Sequence, residues 1–287
     1  MELYLVTTDH LDECIWFRDE EDFKAAMNAV AILAWAMKIN ILAFILMSNH
    51  VHFLLECSYE EAQAFINAFK GRHSRYMYCK YGVREMLRDN HVDIQRVDLF
   101  EESPERAIAY ILMNCVAANI CLNPSDYPWG TGGVYFKVRP EKGTPIGSIS
   151  KRECIRLLHS KVDLPPEYLM GEDGYILPES FVQVKFVESL YRTPARMNYF
   201  LQNSSKAKQR LSAQDPKVPA FKDQVIVSGI KDLCHSLFQK KELSELTSGQ
   251  QAELLRQIRY RFSSHIQQMA RVTGIPYADV ADLLESY

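Results

Sequence analysis

Apolar residues in the first 122 positions recur with two alternating periods. ELYLVTT (residues 2–8) reads as a strand, which alternates Leu3 and Leu5 on one side with Tyr4 and Val6 on the other. Phe23, Met27, Val30, Ala34 and Met37 then recur every three or four residues, which predicts an amphipathic helix over about 20–38. ILAFILM (41–47) and HVHFLLEC (50–57) are near-continuous apolar runs joined tightly through Ser48 and Asn49, and they read as two strands. A second helix is expected over 60–81, with Phe65, Phe69 and Tyr76 on one face, followed by the alternating strand HVDIQRVDLF from His91. Pro104 in a first turn, behind Ser103 as N-cap, opens a third helix running to about Leu122.

The order strand, helix, strand, strand, helix, strand predicts an α+β fold, a ferredoxin-like antiparallel sheet with helices on one face. The third helix comes seventh. Turn residues thicken from Pro124 (NPSDYPWGTGG), and the region from about 180 onward looks mostly helical. This divides the chain into a domain over 1–136, a loop-rich linker segment over 137–179 and a helical C-terminal domain over 180–287. Ala270, Gly274 and Val280 have the spacing of a helix-turn-helix within about 262–287. Asp279, Asp282 and Glu285 on its second helix would repel phosphates, which counts against its reading DNA directly.

Composition narrows the class. With 47% apolar and 24% charged residues over 287 positions, the chain is expected to bury a full core. The apolar stretch 25–47 is interrupted by Asn28, Lys38 and Asn40, so it splits into helix and strand and no membrane span is expected. The opening MELYLVTTDH lacks a secretory leader's pattern, and seven scattered cysteines without a C-x-x-C pair suit a reducing cytoplasm. The net charge of −3 hides an asymmetry: residues 1–130 carry 11 Lys+Arg against 19 Asp+Glu. Within this acidic part Lys70, Arg72, Arg75, Lys80, Arg84 and Arg88 cluster, which makes them candidates for tracking a phosphate backbone, unless they form a solvated helix face.

The candidate chemistry begins at NHVHFLL. In a strand, His50 and His52 point to one side and Val51 to the other. Two imidazoles on one sheet face can hold a metal ion, hold a phosphate or be solvated. On the third helix Arg106, Tyr110 and Asn114 are spaced by four and form one polar stripe. Tyr110 alone would read as a core tyrosine. Beside a bis-histidine strand, two imidazoles and an amide oxygen are a mostly neutral ligand set that leaves a divalent ion its charge. A tyrosine hydroxyl could then attack phosphorus, helped by a cation such as Arg106.

The run of strand, NHVHFLL, basic second helix, Y-I-x-x-N helix and DYPW resembles the single-tyrosine HUH transposases (the IS200-like superfamily), particularly the REP-associated tyrosine transposase branch, over about residues 1–136. The resemblance implies a metal-dependent single-stranded DNA endonuclease and strand-transferase that cuts near hairpin-forming palindromes through a covalent 5′-phosphotyrosine. It implies Mg²⁺ or Mn²⁺ at His50 and His52, with Asn114 completing the site and Tyr110 as nucleophile. It further implies single-stranded or hairpin DNA as partner, a homodimer or a monomer, and a cytoplasmic, nucleoid-associated location. The alternative is a non-catalytic nucleic-acid-binding or transcription-regulatory protein on the same fold.

Overall fold

The computed structural model describes residues 2–9, 11, 15–84, 87, 89–100, 103–118, 120–139, 142–206, 221, 223–262 and 264–285. The N-terminal elements are β1 (Leu3–Thr8), α1 (Glu20–Met37), β2 (Asn40–Met47), β3 (His50–Glu56), α2 (Tyr59–Tyr81), β4 (Val92–Val97) and α3 (Ser103–Leu112). The strands form one antiparallel sheet in the order β2-β3-β1-β4, which bears out the expected α+β, ferredoxin-like arrangement. Both long helices start on a reciprocal capping box, Asp19 with Asp22 for α1 and Ser58 with Glu61 for α2.

β3 is paired on both edges and buried along nearly its whole length, so both of its faces are covered. Phe53 packs against Phe65 and Phe69 of α2 at ring separations of 5.2 and 5.5 Å, and α2 packs beside α1, so these two helices share one face. The seventh element crosses to the other side, where the Tyr110 ring of α3 meets the His52 ring at 5.5 Å. The sheet is therefore sandwiched.

The third helix is shorter than its periodicity predicts. It ends at Leu112, and a single turn, α4 (Asn114–Ala117), follows. Asn114 Nδ2 donates to the carbonyls of Tyr110 (2.9 Å) and Ile111 (3.2 Å), and this side-chain competition with the backbone ladder accounts for the break.

The DYPWGTG stretch covers the outer edge of β2. Leu46 N donates to Trp129 O (2.8 Å), Thr131 N donates to Phe44 O (3.0 Å), and the Tyr127 hydroxyl donates to Leu46 O (2.7 Å). Gly130 is required here, since a Cβ would lie 2.8 Å from Phe44 O. An otherwise exposed strand edge is thereby closed.

Residues 137–179 contain β5 (Thr144–Pro145), α5 (Lys151–Leu158) and β6 (Leu169–Met170), and they bury Ile146, Leu158, Met170, Ile176 and Leu177 in the same core as the sheet. Asn28, buried on α1, holds them: it accepts from Ile176 N (2.9 Å) and donates to Gly174 O (3.3 Å). After α6 (Val184–Tyr191) and α7 (Pro194–Gln202), which also join this core, a second core forms among α8 (Asp223–Phe238), α9 (Ser248–Phe262), α10 (Ile266–Thr273) and α11 (Tyr277–Glu285). Gly274, in the left-handed region at φ 72°, ends α10, and Val280 of α11 is fully buried. Among the described residues no helix is long and apolar enough to cross a membrane.

Asn28→Ala should cost about 1–3 kcal/mol, since it strands the buried Ile176 amide. Urea unfolding would measure this, and protease cleavage should rise within 137–179 before it rises elsewhere.

Candidate active site on the histidine face

The tight β2–β3 connection leads into a strand that sets two imidazoles side by side on one sheet face. His50 and His52 are 4% and 1% exposed, and their rings lie 4.8 Å apart, nearly perpendicular. Their Nδ1 atoms are engaged from the flanks: His52 with Thr7 Oγ1 (3.0 Å) on β1, His50 with Asn49 Oδ1 (2.9 Å). Asn49 Nδ2 donates to Leu11 O (3.2 Å), which turns Oδ1 toward the ring. His50 Nδ1 must then be the protonated nitrogen, and Nε2 carries the lone pair. This is the tautomer a metal ligand requires, fixed in the way outer-shell partners fix metal-binding histidines. Both Nε2 atoms are buried. The donor set therefore fits a divalent ion. Among the described residues no group of three or more His, Cys, Asp or Glu side chains could hold one, so the remaining positions would fall to an amide, water or phosphate oxygens.

Tyr110 sits half-buried, edge-on to His52. Burial raises its pKa above the ordinary tyrosine value, and the Asp93 charge on β4 raises it further. Thr7 pairs with both His52 and Asp93, which places all three on this face. The phenol is thus held in its protonated form at neutral pH. Arg106, the expected cation, is exposed with its guanidinium 5.8 Å from the Phe200 ring of α7. A cation from elsewhere in the chain also meets the tyrosine: Lys206 Nζ lies 5.0 Å from the Tyr110 ring centre, and its pKa is lowered by burial. Sequence reasoning missed Lys206. It follows α7, nearly a hundred residues after Tyr110, and no spacing rule connects the two.

Asn114 is buried one helical turn beyond Tyr110, with its amide nitrogen committed to the end of α3. Only Oδ1 could serve as a ligand.

The expected DNA-tracking residues are not brought to this site, because α2 covers the opposite face. Lys70 donates to Asn90 O, and Arg72 Nη2 donates to Leu158 O (3.0 Å) and His159 O (3.2 Å). Lys80 is held by Asp19 (2.7 Å) and Asp22 (2.8 Å), while Arg84 lies over Tyr78. Arg75 borders a cleft between α1 and α2. Arg88 lies outside the described residues. The stripe is thus in large part a set of intramolecular contacts, which its sequence clustering could not reveal.

The helical unit docks directly behind the histidines. Asp223, the first residue of α8, accepts from Ser48 Oγ (2.6 Å) in the β2–β3 turn, from Gln268 Nε2 (2.9 Å) and from Arg271 Nε (2.8 Å). Burial pushes its pKa up, but Arg271, Ser48 and Gln268 outweigh it, so the carboxyl stays below the ordinary range.

Residues 16–92 match the family described as "Transposase IS200 like", which bears out the resemblance read from the sequence. The matched span contains His50 and His52 and ends before Tyr110. A search of solved structures found a REP-associated tyrosine transposase bound to a REP hairpin, with a TM-score of 0.36 and 13% identity, covering 45% of this chain and 76% of that one. No curated protein matches.

Asp223→Ala leaves the largely buried Arg271 charge unpaired and should destabilise the docked helical unit by about 3–5 kcal/mol. A carboxylate with a depressed folded pKa stabilises above its unfolded pKa, about 3.9, and loses that contribution as pH falls through the folded value. Wild-type docking should therefore weaken in acid below about pH 4, whereas the variant should lose this acid-dependent step. Hydrogen exchange in α8 and α10 would measure both effects.

Proposed function

We propose that this chain, which carries an IS200-like transposase segment over residues 16–92, is a metal-dependent transposase acting on single-stranded or hairpin DNA through a covalent phosphotyrosine at Tyr110. The observation that carries the reading is the buried pair His50 and His52, with the His50 tautomer fixed by Asn49 and the Tyr110 ring 5.5 Å from His52.

The reaction proposed is an in-line displacement. Tyr110 Oη forms a bond to phosphorus, the bond from phosphorus to the 3′ oxygen breaks, and the leaving oxygen departs as a free 3′-hydroxyl. The phenolic proton passes to water and the departing 3′ oxygen takes one up from water, so the step balances in protons. Lys206 supplies the positive charge that favours the developing phenolate, against burial and Asp93, which oppose it. His50 and His52, with Asn114 Oδ1, would hold Mg²⁺ or Mn²⁺; when bound, the ion withdraws charge from the scissile phosphate. Thr7 and Asn49 orient the two rings. Arg106, one helical turn before Tyr110 with its guanidinium 5.8 Å from the Phe200 ring, would be a second cation beside the site, available to the phenol or to a phosphate. On this reading the protein works in the cytoplasm, at the nucleoid, as a monomer or homodimer.

Incubation with hairpin-bearing single strands and Mn²⁺, scored on a denaturing gel, should trap a covalent adduct on wild type. Tyr110→Phe should abolish it while oligonucleotide binding persists. Tyr81→Phe should not, since that hydroxyl is occupied by Asp19 (2.8 Å) and Asp22. Absence of an adduct on wild type with every hairpin would favour a non-catalytic nucleic-acid-binding protein. Lys206→Met should slow adduct formation on the order of tenfold at neutral pH, the effect of removing about 1–2 kcal/mol of charge stabilisation, and less in alkali.

A further inference from the structure

The α1–α2 cleft lies on the face of the sheet opposite Tyr110 and encloses about 720 Å³, within the range of small-molecule sites. Its chemistry is one-sided. Arg72 and Arg75 sit together with no carboxylate among the described residues that line the cleft, although this part of the chain is acidic overall. Burial, and then the Arg75 charge, depress the Arg72 pKa, as expected for two guanidinium groups with no anion between them. Arg72 is also pre-positioned, its Nη2 bonded to Leu158 O and His159 O at the end of α5. Asp19 and Asp22, at the start of α1, are engaged by Lys80, which also lines the cleft. The apolar floor includes Ala29 and Gly71, and the Tyr76 and His159 rings stand at 6.4 Å from each other. Residue 71 lies inside a helix, and a Cβ there would meet nothing within 4 Å, so open space adjoins it.

We propose that this cleft binds a nucleotide unit, its phosphate between Arg72 and Arg75 and its base against Tyr76 or His159, as a free nucleotide or as one unit of a single strand. Paired guanidiniums suit a phosphate, and an aromatic wall over a small-residue floor suits a flat base. The site does not rest on the assignment of Tyr110.

Calorimetric titration of the full-length protein with dAMP tests this. We expect saturable binding, weaker binding of inorganic phosphate and of deoxyadenosine, and unchanged dAMP binding in Tyr110→Phe. Arg75→Glu should weaken dAMP on the order of tenfold or more, by charge reversal. Gly71→Leu should block it while the melting temperature holds or rises, because the position accepts a side chain and leucine favours helix over glycine. An unphosphorylated single-stranded oligonucleotide that displaces dAMP identifies the strand as the source; failure to displace it identifies the free nucleotide. No dAMP heat at millimolar concentration, or equal binding by Gly71→Leu and Arg75→Glu, overturns the proposal, whatever becomes of the Tyr110 adduct.

Discussion

The two-residue repeat of β3 constrains everything around it. Here β3 has a neighbour on each edge and is covered on both faces, and alternation means that placing His50 and His52 on one face commits Val51, Phe53 and Leu55 to the other. Phe53 anchors α2 through Phe65 and Phe69, and this fixes the helical layer. The other face must then bury two imidazoles, and buried polar rings need partners. Thr7 and Asn49 meet that need, and in doing so they set the ring orientations on which the proposed chemistry depends. A one-residue slip in β3 would exchange the two faces and place phenylalanine beside Tyr110.

Much of this was legible in the sequence because it is periodic. Alternation in 50–56 put both histidines on one side, and the order of strands and helices led to the ferredoxin-like sheet. Spacing by four put Tyr110 and Asn114 on one stripe of one helix, but it could not show that the Asn114 amide would end that helix by taking the Tyr110 carbonyl. Charge was the least legible feature. Lys80 looked like part of a phosphate-tracking stripe because the sequence shows neighbours, whereas its carboxylate partners lie some sixty residues earlier at the start of α1. Lys206 was invisible for the same reason, since its meeting with Tyr110 depends on the path of α6 and α7 back across the sheet.

That path also changes what the C-terminal half is for. Tyr191 is fully buried and donates to Glu105 O at 2.6 Å, at the start of the tyrosine helix, and Phe200 lies under both Arg106 and Arg196. The segment from 184 to 206 is therefore part of the wall that positions α3. On the proposed reading α3 bears the nucleophile, and such a wall would hold its oxygen in place, because small displacements of a reacting oxygen are costly in rate.

The helical unit reaches the turn before the histidines through the buried carboxylate of Asp223. Asp223 holds Ser48 Oγ, while Ser48 O accepts from Trp16 N (2.7 Å) and Asn49 O accepts from Leu11 N (3.0 Å). The turn that sets His50 is thus gripped from the chain that precedes α1 and from the far C-terminal unit at once. Neither grip is local, and a two-residue turn between apolar strands has little else to define its geometry. An ion pair such as Asp223 with Arg271 gains little net stability over apolar packing once desolvation is counted. What it provides here is directionality: three donors converge on one carboxylate, and one of them is the serine two residues before the first histidine. An apolar contact of equal strength could dock the same helices, but it would leave the turn, and with it the histidine pair, free to shift.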